Sequence, residues 1–404
     1  MLPKLRRSAL NSKLKKIPSY LRELLFMLIF RPLGAIGRHI CPSLRGLWLI
    51  SERGTDARDN GYRFYSYLVS EHPEVNARYV ITPGSPDRPL IDKLGGAVNY
   101  RSPRHYIMYS AADALISTHV QPAAPDKVIY FRLAQHGLHA RGRQVYLKHG
   151  IINNAMDWLH YGSLYIDLFV CGAKPEYDHV RSTFGFPEGV VRYLGLCRYD
   201  SLQEPGSGER MILLMPTWRG SGYPSGDAFY DTEYCRNFRS LLASPELARL
   251  LEESDTRLVF YPHIEMQRYI DCFRAGSDRI TIADAGSHDV QQLLRDCALL
   301  ITDYSSVFFD VAYLGKPIIY YQFDEEEFRS MHYRAGYFDC RRDGFGPVCT
   351  DEAQLLSALR GCIGSGMMPD EKYKQRAELF FPLRDRNNCR RTYEAVREIT
   401  SDGR

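Results

Sequence analysis

From residue 46 onward, short runs rich in β-branched and aromatic residues alternate with segments of helical spacing. That alternation is the signature of βαβ units, so the chain is constrained to parallel sheets with helical crossovers. Strands are expected in the first half at 46–51, 77–82, 97–100, 114–118, 145–148, 164–171 and 190–194. Between them lie helices such as 60–71, where Tyr62, Tyr65, Leu68 and Val69 recur at helical spacing. A polar, glycine-rich stretch, QEPGSGE at 203–209, interrupts the pattern and reads as a linker. A second cycle follows, with strands at 211–215, 257–261, 280–282, 298–302 and 317–321. Its helices fall near 238–253, 265–275, 289–297 and 306–314, and the last forty residues read as helical. SAADALISTH at 110–119 echoes RDCALLITDY at 295–304, a faint sign of two similar halves.

At 404 residues the chain is long enough for two domains, each able to bury a full core. The expected organisation is a basic and apolar N-terminal segment at 1–44 and a Rossmann-like domain at 45–203. A second Rossmann-like domain follows at 204–380, then a C-terminal helix at 381–404 that can pack back on the first domain. Hydrophobic residues make up 45% and charged residues 25%, the usage of a globular protein rather than a disordered or membrane-spanning one. A net charge of +4 is too near balance for a surface that binds nucleic acid broadly. The excess is local: Lys4, Arg6, Arg7, Lys13, Lys15, Lys16 and Arg22 precede any acidic residue.

The apolar run LLFMLIF at 24–30 is far short of the roughly 20 residues that cross a bilayer. Three readings stay open for this end. It is an interfacial helix with Leu21, Leu24, Leu25 and Leu28 on one side and basic residues on lipid phosphates, a signal peptide, or a solvated arm before a helix packed on the protein. The ten cysteines, scattered from Cys41 to Cys389 without a CxxC pair, indicate neither a disulfide framework nor a zinc site and read as reduced core thiols of a cytoplasmic body.

Ligands of open parallel sheets bind beyond the carboxyl ends of strands, so chemistry is expected in the loops there. The sharpest segment is ITDYSSVFFDVAYLGKPIIYY at 301–321. A strand ends at Thr302, Asp303 and Ser305 stand at its edge, and a helix opens near Ser306, where free N–H groups and hydroxyls suit a diphosphate. An ordinary N-cap would use the same residues. In VYLKHGI, at 145–151, a strand delivers His149 to the cleft and Gly150 allows close backbone approach; the imidazole suits a general base. His136, in AQHG, competes for that role, and either histidine can equally be a hydrogen-bonded loop residue. LLMPTWRG at 213–220 and LVFYPHIEMQ at 258–267 place Arg219 and His263 after strands, as a clamp for charge on a transferring phosphate or as a surface ion pair and a capped turn. Trp218 reads as packing rather than a base-stacking platform.

Seven such segments, in order, resemble the CDP-glycerol glycerophosphotransferase family of teichoic-acid and capsule polymerases and primases. They are SERGTDARDNGYRFYSYL (51–68), LKHGI, CGAKPEYDHV (171–180), YLGLCRYDSL (193–202), LLMPTWRG, YPHIEMQRYI and LITDYSSVFFDVAYLGKPIIYYQFDEEEF (300–328). The resemblance implies an α/β, GT-B-like fold of two Rossmann-like domains facing a central cleft. It also implies peripheral attachment to the cytoplasmic face of a bacterial membrane and transfer that needs neither metal nor cofactor. By resemblance, His149 is the base and His263 the second catalytic histidine. Arg219, Thr302, Asp303, Ser305 and Ser306 hold the donor phosphates or nucleotide, and Asp59, Asn60 and Gly150 line the cleft.

The partners so implied are CDP-glycerol or another CDP-polyol as donor, a lipid-linked or glycan acceptor, and an anionic membrane surface. Nucleic acid is not among them, and oligomeric state is not legible. Two rivals remain: a GT-B sugar transferase that releases a nucleoside diphosphate, and a noncatalytic member that binds nucleotide or polymer in a capsule-assembly complex.

Overall fold

The computed structural model describes residues 19–121, 123–135, 139–204, 206–220, 223–224, 226–284, 286–331 and 336–401. Two wholly parallel sheets carry the fold. The first contains β1 (Trp48–Ser51), β2 (Ala77–Ile81), β3 (Ala97–Asn99), β4 (Ala114–Ser117), β5 (Arg143–Tyr146), β6 (Leu168–Cys171) and β7 (Val191–Tyr193). Their order is β3-β2-β1-β4-β5-β6-β7. The second contains β8 (Met211–Leu214), β9 (Arg257–Phe260), β10 (Ile280–Ile282), β11 (Cys297–Thr302), β12 (Ile318–Tyr321) and β13 (Val348–Cys349), ordered β10-β9-β8-β11-β12-β13. Each sheet reverses strand order beside its first strand, at β1/β4 and at β8/β11, and a crevice opens above such a point. The fold is the GT-B-like pair expected.

Most strands fall where the apolar runs place them, and the exceptions have physical causes. The strand expected at 145–148 spans Arg143–Tyr146, because Lys148 takes a left-handed backbone (φ 59°) and turns the chain out of the sheet. The stretch expected to begin at 164 enters the sheet only at Leu168. The helix expected over 238–253 is two, Glu233–Ala243 and Pro245–Glu253. Ser244 holds an extended ψ of 120° and accepts the Leu247 N–H, and Pro245 occupies the first turn of the new helix. The segment near 265–275 is a 3₁₀ run, Ile264–Cys272.

Apolar side chains cover both faces of each sheet, as buried parallel strands require. The N-terminal core joins Ile50, Phe64, Ile116 and Leu168; the C-terminal one joins Leu213, Leu300, Phe308 and Tyr320. The final helix, Asn388–Ser401, returns to the N-terminal lobe, where Cys389 and Val396 are buried and the Tyr393 ring stacks on His72 at 3.7 Å. An ion pair and a hydrogen bond hold it: Arg192 meets Glu398 at 2.6 Å, and Asp200 accepts the Asn388 N–H at 3.0 Å. The chain therefore crosses between lobes twice, near 203–209 and again near 381–387. The ten cysteines are unpaired, and seven of them are buried.

The first described helix, Ser19–Ile40, docks on Pro103–Ala111. Phe26 and Phe30 pack on Tyr106 at 5.7 and 5.8 Å, and Arg38 meets Asp113 at 2.8 Å. Gly34 permits the crossing, since a Cβ there would stand 2.4 Å from the Ile107 carbonyl oxygen. Its other side is apolar and exposed, through Leu21, Leu25, Leu28, Ile29, Leu33, Ile36 and Ile40. No described helix is long and apolar enough to cross a membrane. Lys4, Arg6, Arg7, Lys13, Lys15 and Lys16 lie outside the described residues.

Candidate active site between the lobes

The N-terminal side of the site is built on β1, β4 and β5. After β1, the buried Glu52 carboxylate accepts the N–H groups of Arg58, Asp59 and Tyr62 at 3.2, 2.9 and 2.9 Å, which fixes the start of the helix Asn60–Glu71. After β5, the Lys148 ammonium is buried against Glu176, whose carboxylate also takes the N–H groups of Ile152 and Gly172 at 2.7 and 2.8 Å. A buried pair is tolerable only when its remaining hydrogen-bonding capacity is met, and here it is. The loop so held carries His149, whose ring is largely exposed and whose Nδ1 lies 3.5 Å from the Asp59 Oδ2.

Asp59 is therefore placed to orient the imidazole and leave its Nε2 to the cleft. Burial works to raise the Asp59 carboxyl, but the charge of Arg198 and then the His149 contact outweigh it and hold the group below the ordinary carboxylate value. Asn60, expected to line the cleft, is instead fully buried beneath it. Its amide donates to the Lys148 carbonyl at 3.0 Å and accepts the Arg198 N–H at 2.9 Å, pinning two loops together. His136 lies outside the described residues.

The C-terminal side is built on β8, β9 and β11. Ser305 and Ser306 are half-buried at the head of the helix Val307–Tyr313, and the Ser305 Oγ accepts the Val307 N–H at 3.4 Å. The two lobes meet here: a Cβ on Gly150 would lie 3.2 Å from the Ser306 Oγ. Beside the pair, a cavity between the lobes is lined by Asn153 and Asn154 from one and by Tyr304, Phe308, Gln322 and Phe338 from the other. His263 is half-buried, its Nδ1 accepting the Glu265 N–H at 3.2 Å, so its proton sits on Nε2. Burial, and after it the positive charges of Arg53 and His149 across the cleft, hold His263 below the ordinary histidine value. Trp218 stacks on His263 at 6.2 Å and packs on the core, as a packing residue should.

Arg219, Asp303 and Thr302 do not face the cleft. The Arg219 guanidinium is fully buried between Asp324, at 2.7 Å from Nε, and Asp303, at 2.8 Å from Nη1, with the rings of Tyr234, Tyr304 and Phe328 within 5.4 Å. Asp303 spends its other oxygen on the N–H groups of Thr217 and Tyr304 at 2.8 and 2.6 Å, and the Thr302 hydroxyl donates to the Met215 carbonyl at 2.7 Å. These three residues are an internal frame that holds the β8 and β11 loops together. Their expected direct contact with donor phosphates is corrected accordingly: a strand's end predicts nearness to the cleft but not the direction of a side chain.

The sequence profile of the CDP-glycerol:poly(glycerophosphate) glycerophosphotransferase family matches residues 43–398. The chain belongs to this family. It is 31% identical over 373 residues to the minor teichoic acid biosynthesis protein GgaB of Bacillus subtilis (strain 168), which covers 88% of this chain and 40% of GgaB. A teichoic acid poly(glycerol phosphate) polymerase of Staphylococcus epidermidis matches at 21% identity, over 81% of this chain and 46% of that protein. The chain thus spans less than half the length of these relatives. Among solved structures, the wall teichoic acid polymerase TagF superposes with a TM-score of 0.66 at 17% identity, covering 95% of this chain and 98% of that one.

Within this member of the family, three site residues escape a reading of strand ends. His119, after β4, stacks on His149 at 5.9 Å; its Nε2 accepts from the Arg53 Nε at 3.3 Å, and its Nδ1 pairs with the Thr118 hydroxyl at 2.9 Å. Burial, with the charges of His149 and Arg53 next, pushes His119 down to about 4, so it is neutral near pH 7. Arg53 brings an exposed cation to the same wall. Arg198, 4% exposed, joins the lobes: it bonds to Asp59 and the His149 carbonyl on one side and to Asp310 on the other. Its signal in the sequence is a lone charge after the apolar run LGLC.

Proposed function

We propose that the chain transfers glycerol phosphate, or a related polyol phosphate, from a CDP-activated donor to a hydroxyl of a membrane-anchored lipid-linked or glycan acceptor. CMP is released, in the synthesis of a teichoic-acid-like or capsule polymer. Family membership supports the chemistry, as does the likeness to GgaB, a minor teichoic acid biosynthesis protein. The observation that carries the reading is the meeting of the His149–Asp59 pair with the Ser305–Ser306 pair across Gly150.

In the reaction, the His149 Nε2 takes the proton of the acceptor hydroxyl. The oxygen attacks the β-phosphorus in line, the bond from that phosphorus to the bridging oxygen breaks, and the electron pair leaves with CMP. Ser305, Ser306 and the Nε2–H of His263 donate to phosphate oxygens as charge moves. Positioning and charge stabilisation supply most of the acceleration in such transfers. The exposed apolar side of Ser19–Ile40, preceded by the basic run at 4–16, suits a peripheral site on an anionic, cytoplasmic membrane surface.

The test is a screen of the purified chain against CDP-polyols and UDP-sugars with a lipid-linked acceptor, identifying the nucleotide released. Acceptor-dependent CMP is expected. Release of UDP or GDP assigns the chain to the sugar transferases, and nucleotide binding without acceptor-dependent release assigns it to a noncatalytic role.

A further inference from the structure

Arg198 is the buried residue through which the two halves of the site touch. Its Nη1 donates to the Asp59 Oδ1 at 2.9 Å and to the His149 carbonyl at 2.7 Å. Its Nε and Nη2 grip the Asp310 carboxylate at 3.1 and 2.7 Å, a bidentate arrangement that a lysine could not make. Its backbone N–H is held by Asn60. Asp310 lies in Val307–Tyr313, the helix that begins at the serine pair, and the second oxygen of Asp59 faces the His149 Nδ1. A continuous path, His149–Asp59–Arg198–Asp310, therefore runs from the base to the donor helix.

The charges along this path do not cancel. One guanidinium serves two carboxylates, so the network is one positive charge short of neutrality until the imidazole takes a proton, which is the step the reaction asks of it. The other groups facing His149 are the neutral His119, stacked on its ring, and Arg53 behind that residue. From the opposite lobe come Ser306, near Gly150, and His263, on which the charges of His149 and Asp303 both act. None of these touches Asp59 and Asp310 together.

We infer that Arg198 is a positioning residue of the transfer: it holds the Asp59–His149 pair in register with the donor helix, and through Asp310 it fixes how much negative charge Asp59 presents to the imidazole. The inference rests on His149 being the base. It gives opposite signs for two variants. Arg198→Met frees the full charge of Asp59, which favours the imidazolium. Asp310→Asn, of the same shape, turns the whole guanidinium charge toward Asp59 and disfavours it. Arg198→Lys keeps the charge but loses the bidentate grip.

The experiment follows the His149 ring by NMR in the full chain with labelled histidine, assigned by loss of its signal in His149→Gln, alongside the pH profile of kcat/KM with CDP-glycerol. The His149 midpoint should rise by about one pH unit or more in Arg198→Met and fall in Asp310→Asn. In Arg198→Lys it should stay near the wild-type value while kcat drops by at least about tenfold. A midpoint unmoved in both, or moved in one direction by both, makes Arg198 a structural strut and overturns the inference. Should Arg198→Met fail to fold, the near-isosteric Asp310→Asn decides alone: a fall supports the inference and no change ends it. The titration needs no substrate, so an active His149→Ala enzyme would end the base assignment while leaving the network result standing.

Discussion

Gly150 of the N-terminal lobe stands against Ser306 of the C-terminal lobe, with little space between its Cα and the serine Oγ: a Cβ would lie 3.2 Å away. That distance is tight rather than forbidden, so an added methyl group must shift the serine by a few tenths of an ångström. Gly150→Ala should lower kcat/KM for the CDP-polyol by about tenfold, since small misplacements of a positioned group are costly. Gly150→Val should lower it further. Thermal melting should change little in either variant, because the contact lies at an open cleft; equal activity in all three proteins would show that the lobes do not close on this contact during turnover.

His149→Ala should reduce turnover by about a hundredfold or more, the usual contribution of a positioned general base. The affinity for CDP-glycerol, read by calorimetry, should stay close to that of the unchanged chain, because the base serves the acceptor rather than the donor. Near-normal turnover would remove His149 from the mechanism.

Arg219 calls for a different expectation from the one its place after β8 suggests. Removing its charge leaves Asp303 and Asp324 buried without a compensating cation, which costs about 3–5 kcal/mol. Arg219→Met should therefore show a large loss in urea unfolding, and Arg219→Lys a smaller but clear one. If stability held and only the KM for the donor rose, Arg219 would be a phosphate ligand after all.

The exposed stripe on Ser19–Ile40 makes a claim that vesicles can check. Each buried leucine or isoleucine side chain contributes about 1.5–3 kcal/mol, so Leu28→Asp with Ile36→Asp should lower co-sedimentation with phosphatidylglycerol vesicles by at least about tenfold. Binding of the unchanged chain should weaken as salt is raised. Undiminished binding by the double variant would place the membrane contact elsewhere.

What the sequence makes legible follows from what is periodic or local. Strand runs such as Ala77–Ile81 and Ile280–Ile282 were readable because apolar residues in short blocks must lie in a parallel sheet. The strand-end loops of His149, His263 and the serine pair were readable because the pattern changes there. Pro245 carried the break between Glu233–Ala243 and Pro245–Glu253, a signal the apolar pattern overrode. The two-residue strand Val348–Cys349 is too short for any pattern. Least legible were long-range pairings: Arg198 finds Asp59 at a separation of 139 residues and Asp310 at 112, and Arg219 finds Asp324 at 105. No spacing encodes such a partner, so whether an arginine near a cleft faces a ligand or is already neutralised within the fold becomes visible only in three dimensions.

His105 gives a pH dependence whose sign can be worked out. It is fully buried, its Nε2 donating to the Ala123 carbonyl at 2.7 Å and its Nδ1 accepting the Arg101 N–H at 3.0 Å, so the neutral ring is satisfied and no site is left for a second proton. Burial pushes its pKa down to about 4, against about 6.5 in an unfolded chain. Above pH 6.5 neither state binds the proton and the residue adds no pH dependence. Between 6.5 and 4 the unfolded chain takes up a proton that the folded one refuses, so stability falls as the pH falls. Below 4 the loss levels off at about 3 kcal/mol. His119, pushed down to about 4 as well, should add a loss of the same sign over the same window. Urea unfolding of His105→Gln and the unchanged chain at pH 7.5 and pH 5 isolates the residue, because losses from carboxylates are common to both. The unchanged chain should lose more stability between the two pH values than the variant does, and an equal loss would mean that the folded protein accepts a proton at His105 after all.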